Sequence, residues 1–104
     1  VKRYPYPPHD DEGRVVAGGT RRGMMLDELN APSYIYVDEH QSVYVADTFN
    51  HRVMKWDKDA RVGKIAARGS VRGFFVDPAG NVYVAGYHDH KIMRWSKEGA
   101  SQEV

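Results

Sequence analysis

The sequence predicts an all-β chain built from a repeated unit of four short antiparallel strands. A segment recurs 39 positions on without a gap. Its apolar stretches run to five or six residues and are rich in Val, Tyr, Ile and Trp. Such stretches suit strands and are too short for ordinary helices. Turn-forming residues separate them.

The repeat is read by self-comparison. Val43-Tyr44-Val45-Ala46 returns as Val82-Tyr83-Val84-Ala85, and Val37-Asp38 returns as Val76-Asp77. His51-Arg52-Val53-Met54-Lys55-Trp56 returns as His90-Lys91-Ile92-Met93-Arg94-Trp95. A shorter echo precedes both, since Arg14-Val15-Val16-Ala17-Gly18-Gly19-Thr20 resembles Lys64-Ile65-Ala66-Ala67-Arg68-Gly69-Ser70.

In the first copy, strand a is expected over Ser33 to Val37 and strand b over Ser42 to Ala46. Strand c is expected over His51 to Trp56 and strand d over Gly63 to Ala67. In the second copy the expected strands are Gly73 to Val76, Asn81 to Ala85, His90 to Trp95, and a tail ending at Val104. Asp77-Pro78-Ala79-Gly80 suits a tight a–b hairpin, with Pro presetting φ and Gly free to go left-handed. The first copy has Asp38-Glu39-His40-Gln41 there. The same geometry places Gln41 left-handed, at a cost of about 1 kcal/mol relative to Gly.

This divides the chain into segments. Residues 1–13 read as a Tyr/Pro-rich connector, with Tyr4-Pro5-Tyr6-Pro7-Pro8 favouring polyproline II. Residues 14–20 read as the last strand of a preceding unit, and 21–32 as a long d–a loop. Residues 33–68 and 71–104 are the two repeats. The Ser70 to Arg72 connection is short, and Thr20 to Pro32 is 11 residues longer in register. Its Met24-Met25-Leu26 triplet is expected to pack down, and Asp27-Glu28-Leu29 to add a helical turn.

Composition narrows the function classes. The 104 residues carry a net charge of +1 and no cysteine. The charge gives no general attraction to nucleic acid or anionic membrane. Disulfides, thiolate metal sites and thiol nucleophiles are excluded. No apolar run approaches the roughly 20 residues a membrane helix needs, so no membrane partner is expected. Phosphate loops, Gly-x-Ser-x-Gly and calcium loops do not occur, and no carboxylate pair suggests an acid and base. No catalytic residue, metal site or cofactor is assigned, and nothing indicates a compartment.

Pro32-Ser33-Tyr34-Ile35-Tyr36-Val37-Asp38, then Val43-Tyr44-Val45-Ala46-Asp47-Thr48-Phe49-Asn50-His51-Arg52-Val53-Met54-Lys55-Trp56, resembles an NHL repeat. The second copy follows through Val82 to Ala85 and His90 to Trp95. It departs at Gly86, where the pattern has Asp, and at Asp89, where it has Asn. The resemblance implies a β-propeller of typically about six four-stranded blades, with strand a nearest the axis. This chain then holds about two and a half blades, an incomplete ring. Either further blades belong to a longer chain, or several copies self-associate to close one ring.

The same resemblance implies a role. Propeller loops on one rim offer a rigid, variable surface. The expected function is a non-catalytic scaffold binding protein or peptide partners through b–c and d–a loops. The residues assigned to that face are Arg21, Arg22, Phe49, Asn50, Arg72, Tyr87, His88 and Asp89. One alternative is a metal-dependent lyase or lactonase with its site on the channel axis. Another is single-stranded RNA, bound where Arg21, Arg22, Arg68 and Arg72 lie beside Phe49, Tyr87 and His88.

Several residues read as structural. Asp47 is expected to accept bonds from the backbone amides that follow it. His51 and His90 are expected to serve each unit's packing, and Trp56 and Trp95 to pack between units or cover a unit's outer edge. Tyr34 or Tyr36, with Phe75 opposite in register, should lie near the axis because they sit on strand a. Tyr87-His88-Asp89-His90 offers two histidines at i and i+2 but no third ligand, and reads as a polar loop.

Overall fold

A computed structural model describes residues 1–4, 13–19, 21–71, 73–85 and 90–104. The expected strand-rich class is what forms: the described residues make three antiparallel sheets. The first is a short pair, β1 (Lys2–Arg3) with β2 (Arg14–Val15). Lys2 and Arg3 fall inside the stretch read as a connector, and Pro5 to Pro8 lie outside the described residues.

The first repeat forms a four-stranded meander. It runs β3 (Pro32–Val37), β4 (Val43–Asp47), β5 (Arg52–Trp56), β6 (Lys64–Arg68), each paired with the next. The second repeats that order with β7 (Phe74–Val76), β8 (Val82–Ala85), β9 (Ile92–Trp95) and β10 (Ser101–Glu103). Register matches too: Val43 and Val82 face Trp56 and Trp95 across the central pair.

The a–b turns are near copies of each other. Asp38 Oδ1 accepts the amides of His40 and Ser42, both at 2.9 Å. Asp77 Oδ1 accepts those of Ala79 at 3.0 Å and Asn81 at 2.9 Å. The fourth turn residue is left-handed in both, with φ 65° at Gln41 and 89° at Gly80. Gln41 adopts the conformation expected of it.

Burial follows the pleat. In β4, alternate residues point to opposite faces, and every one is buried. Val43 and Val45 join Met54 and Trp56 against Ala17 and Leu29 from the preceding segment. Tyr44 and Ala46 join Val53 and Ala67 against Phe74, Val76, Val82 and Val84 of the second sheet, with Trp95 packed alongside. Trp95 therefore stands between the two repeat sheets, while Trp56 is buried between the first sheet and the preceding segment. Gly63 makes room for Trp56: a Cβ there would meet the indole and the Met54 methyl at 2.9 Å.

Three expectations need correcting. The Met24-Met25-Leu26 triplet does not pack down, and all three side chains stay exposed. Asp27 to Leu29 adds no helix. The chain makes a turn in which the Glu28 amide bonds to the Met25 carbonyl at 3.1 Å. His51 and His90 do not pack either. Both are exposed and left-handed, with φ of 53° and 55°, just before strand c. Histidine is among the residues that tolerate this conformation better than most. Tyr34, Tyr36 and Phe75 lie on the a strands and remain exposed. No helix among the described residues is long and apolar enough to cross a membrane.

Candidate functional site

The site is built where β4 turns into β5. Asp47 ends strand b, a short 3-10 turn covers Thr48–Asn50, and His51 leads into strand c. Asp47 does not bond the amides that follow it, contrary to expectation. It makes no cap bond to the turn. Its carboxylate is fully buried, and a buried carboxylate needs strong partners. It takes them from farther away. Oδ2 accepts from Arg52 Nε at 2.7 Å and from Asn50 Nδ2 at 2.9 Å, and Oδ1 accepts from the Asn30 amide at 2.7 Å.

Arg52 carries the network outward. Its guanidinium donates to the carbonyls of Met24 at 3.0 Å, Met25 at 2.9 Å and Glu28 at 3.1 Å. The planar fork of arginine serves several acceptors at once, which a lysine ammonium cannot match in geometry. Asn50 Nδ2 also donates to the Gly23 carbonyl at 2.7 Å, and the Phe49 amide bonds to the Asn30 carbonyl at 3.2 Å. One buried ion pair thus clamps the long d–a loop onto the b–c turn.

A second ion pair closes the loop on itself. The buried Glu28 carboxylate holds exposed Arg21 and accepts the Met25 amide at 3.1 Å. The Arg21 hydrogen bond, reinforced by the Met25 amide, lowers the Glu28 pKa below the ordinary carboxylate range. Arg21 is correspondingly held more firmly in its charged form, first by the Glu28 hydrogen bond.

Of the sequence-assigned residues, Arg21, Arg22, Phe49 and Asn50 converge on this end of the first sheet. Arg21 is spent on Glu28, and Asn50 on the clamp. Arg22 and Phe49 are exposed. Arg72, Tyr87, His88 and Asp89 lie outside the described residues. No cluster of three or more His, Asp or Glu placed to hold a metal occurs among the described residues.

Arg52 and Glu28 were not singled out in the sequence. A signal existed. Asp47, Asn50 and Arg52 align with Gly86, Asp89 and Lys91, so all three clamp positions change together in the second copy. The long loop they hold is also missing before that copy.

A concavity of about 530 Å³ lies at the opposite end, between the a–b hairpins. Tyr36, Tyr44, Lys55, Phe75 and Lys97 line it. Its aspartates, Asp38 and Asp77, are committed to their own turns. Lys55 lies over the Tyr44 ring, 5.4 Å from its centre. Glu39 and His40 also line it, both exposed, with His40 Nε2 3.6 Å from Glu39 Oε1.

No protein-family model matches the chain, and no curated protein matches it.

Proposed function

We propose that this chain is a run of NHL-type propeller repeats, about two and a half blades, acting as a non-catalytic binding scaffold. Its partners are proteins or peptides, and they engage the b–c and d–a loops. Two four-stranded meanders of like register, stacked face to face, support the repeat assignment. Further blades, or further copies of the chain, complete the ring.

The clamp carries the functional part. A buried ion pair is costly to desolvate and is weak evidence for stability as such. Here its hydrogen bonds go to a loop, and they fix that loop's shape. A loop held rigid on a sheet end binds with less ordering cost than a mobile one.

Pull-down from cell extract with the wild-type chain and with Phe49→Ala/Arg22→Ala tests this. Proteins retained by the wild type should be lost by the double variant. They should persist with Lys97→Ala, at the opposite end. Identical retention by all three chains would overturn the assignment of this face.

A further inference from the structure

The segment 21–30 is an addition to the repeat plan, since the second copy manages without it. Its inward side is saturated with bonds. The carbonyls of Gly23, Met24, Met25 and Glu28 all accept from Asn50 or Arg52. The Leu26 carbonyl accepts the Gly63 amide at 2.8 Å. With the backbone tied inward, the side chains face water. Met24 is 72%, Met25 60% and Leu26 45% exposed. Exposed Val62, beside Gly63, extends the apolar surface.

The charges around it are uneven. Glu28 is neutralised by Arg21, and Asp47 by Arg52. Arg22 and Arg61 are exposed, and neither forms an ion pair among the described residues. Asp27, next to Leu26, lines one concavity with Arg61, so the apolar centre is flanked by two guanidinium groups, Arg22 and Arg61, against one further carboxylate.

We propose that Met24, Met25 and Leu26 form a rigid docking patch for a polypeptide segment bearing large apolar side chains flanked by carboxylates. This rests on the scaffold function proposed above and names what the partner must carry. Methionine is unbranched and polarizable, so two adjacent methionines mould to apolar side chains of different shapes. Isolated exposed apolar residues are ordinary, but contiguous ones on an immobilised backbone mark interaction sites. Rim arginines complement acidic residues on the partner and disfavour basic ones.

A random-peptide display library selected on the immobilised wild-type chain tests the proposal. Enriched peptides should combine Leu, Ile, Phe or Trp with Asp or Glu. Synthetic versions should lose about tenfold or more in affinity on Met24→Ser/Met25→Ser/Leu26→Ser, as expected when central apolar contacts are removed. Arg22→Glu should weaken them further at low salt than at high salt. Thermal melting checks that the triple variant still folds; should it not, Met24→Ser alone, at the most exposed position, carries the comparison.

Basic peptides, undiminished binding to the triple variant, or no enrichment would overturn the patch. So would a dimer in sedimentation that the triple variant dissociates, which would make a second copy the occupant. Partners lost with Phe49→Ala/Arg22→Ala but kept by the triple variant would leave the scaffold function standing while removing this patch.

Discussion

Arg52 shows how one side chain sets the shape of a distant segment. It neutralises Asp47 and satisfies three carbonyls more than twenty residues upstream. Removing it leaves a buried carboxylate without its charge partner and takes a donor from three carbonyls, of which Met25's keeps the Glu28 amide. Arg52→Ala should cost about 3–5 kcal/mol, the usual penalty for breaking one half of a buried pair. Chemical denaturation measures this, and a cost near zero would mean that water replaces the guanidinium freely. Carboxylates elsewhere make stability depend on acid. Asp77 is held below its ordinary pKa by the Asn81 side chain first, then by the Asn81 amide. Asp57 is held low chiefly by its hydrogen bond to Lys64, and Glu28 by Arg21. A carboxyl with a lowered folded pKa contributes stability above its unfolded value, about 4. That contribution fades as pH falls through the lower folded value. The melting temperature should hold from neutral pH down to about 4 and drop below it. Asp77→Asn should flatten that acid limb, and an unchanged limb would remove Asp77 from the cause.

At the scale of the element, the strands and hairpins were legible because they are local. The short Val- and Tyr-rich run over Val43–Ala46 and the Asp-x-x-Gly turn at 77–80 depend on neighbours in sequence, and the second copy checks the first. The left-handed state of Gln41 could be inferred from Gly80 alone. Gln41→Gly should therefore stabilise the chain by up to about 1 kcal/mol, the cost of a left-handed side chain. The gain is offset by the Gln41 side chain's exposed bond to Arg3, which is worth little. A fall in stability would mean that the turn tolerates Gln without strain. The clamp was not legible from pattern. Its bonds join residues 23–30 to 47–52, and no periodicity encodes which carbonyl an arginine will reach. The apolar triplet misled for the same reason: hydrophobicity predicted burial, while the inward bonds of its backbone turned the side chains out. Nor does the sequence announce that His51 and His90 serve a backbone turn, since a repeated histidine looks the same whether it packs or bends.

The whole molecule is governed by a face-to-back rule. Tyr44, Ala46 and Val53 on the first sheet are covered by the second sheet. Their counterparts under the 39-residue shift are Tyr83, Ala85 and Ile92. These lie on the side of the second sheet turned away from the first, and among the described residues no third sheet covers them. Ile92 is 50% exposed, and Phe75, whose ring packs beside Tyr83 on that face, is 64% exposed. The opposite side of the same sheet is packed, with Val82 and Val84 nearly inaccessible. The second sheet thus carries a buried face and a bare one, and substitutions on the two should behave oppositely. The chain in solution should bind an apolar dye through the bare face. Phe75→Glu/Ile92→Glu should remove most of the dye emission with little loss of thermal stability, because those side chains already meet water. Val84→Glu should instead unfold the second sheet, since it buries a carboxylate with no partner. Dye emission that survives the double substitution would place the exposed apolar surface elsewhere, on the first sheet's β3 edge or the 24–26 loop. A double variant as unstable as Val84→Glu would mean that the outer face is already covered in solution.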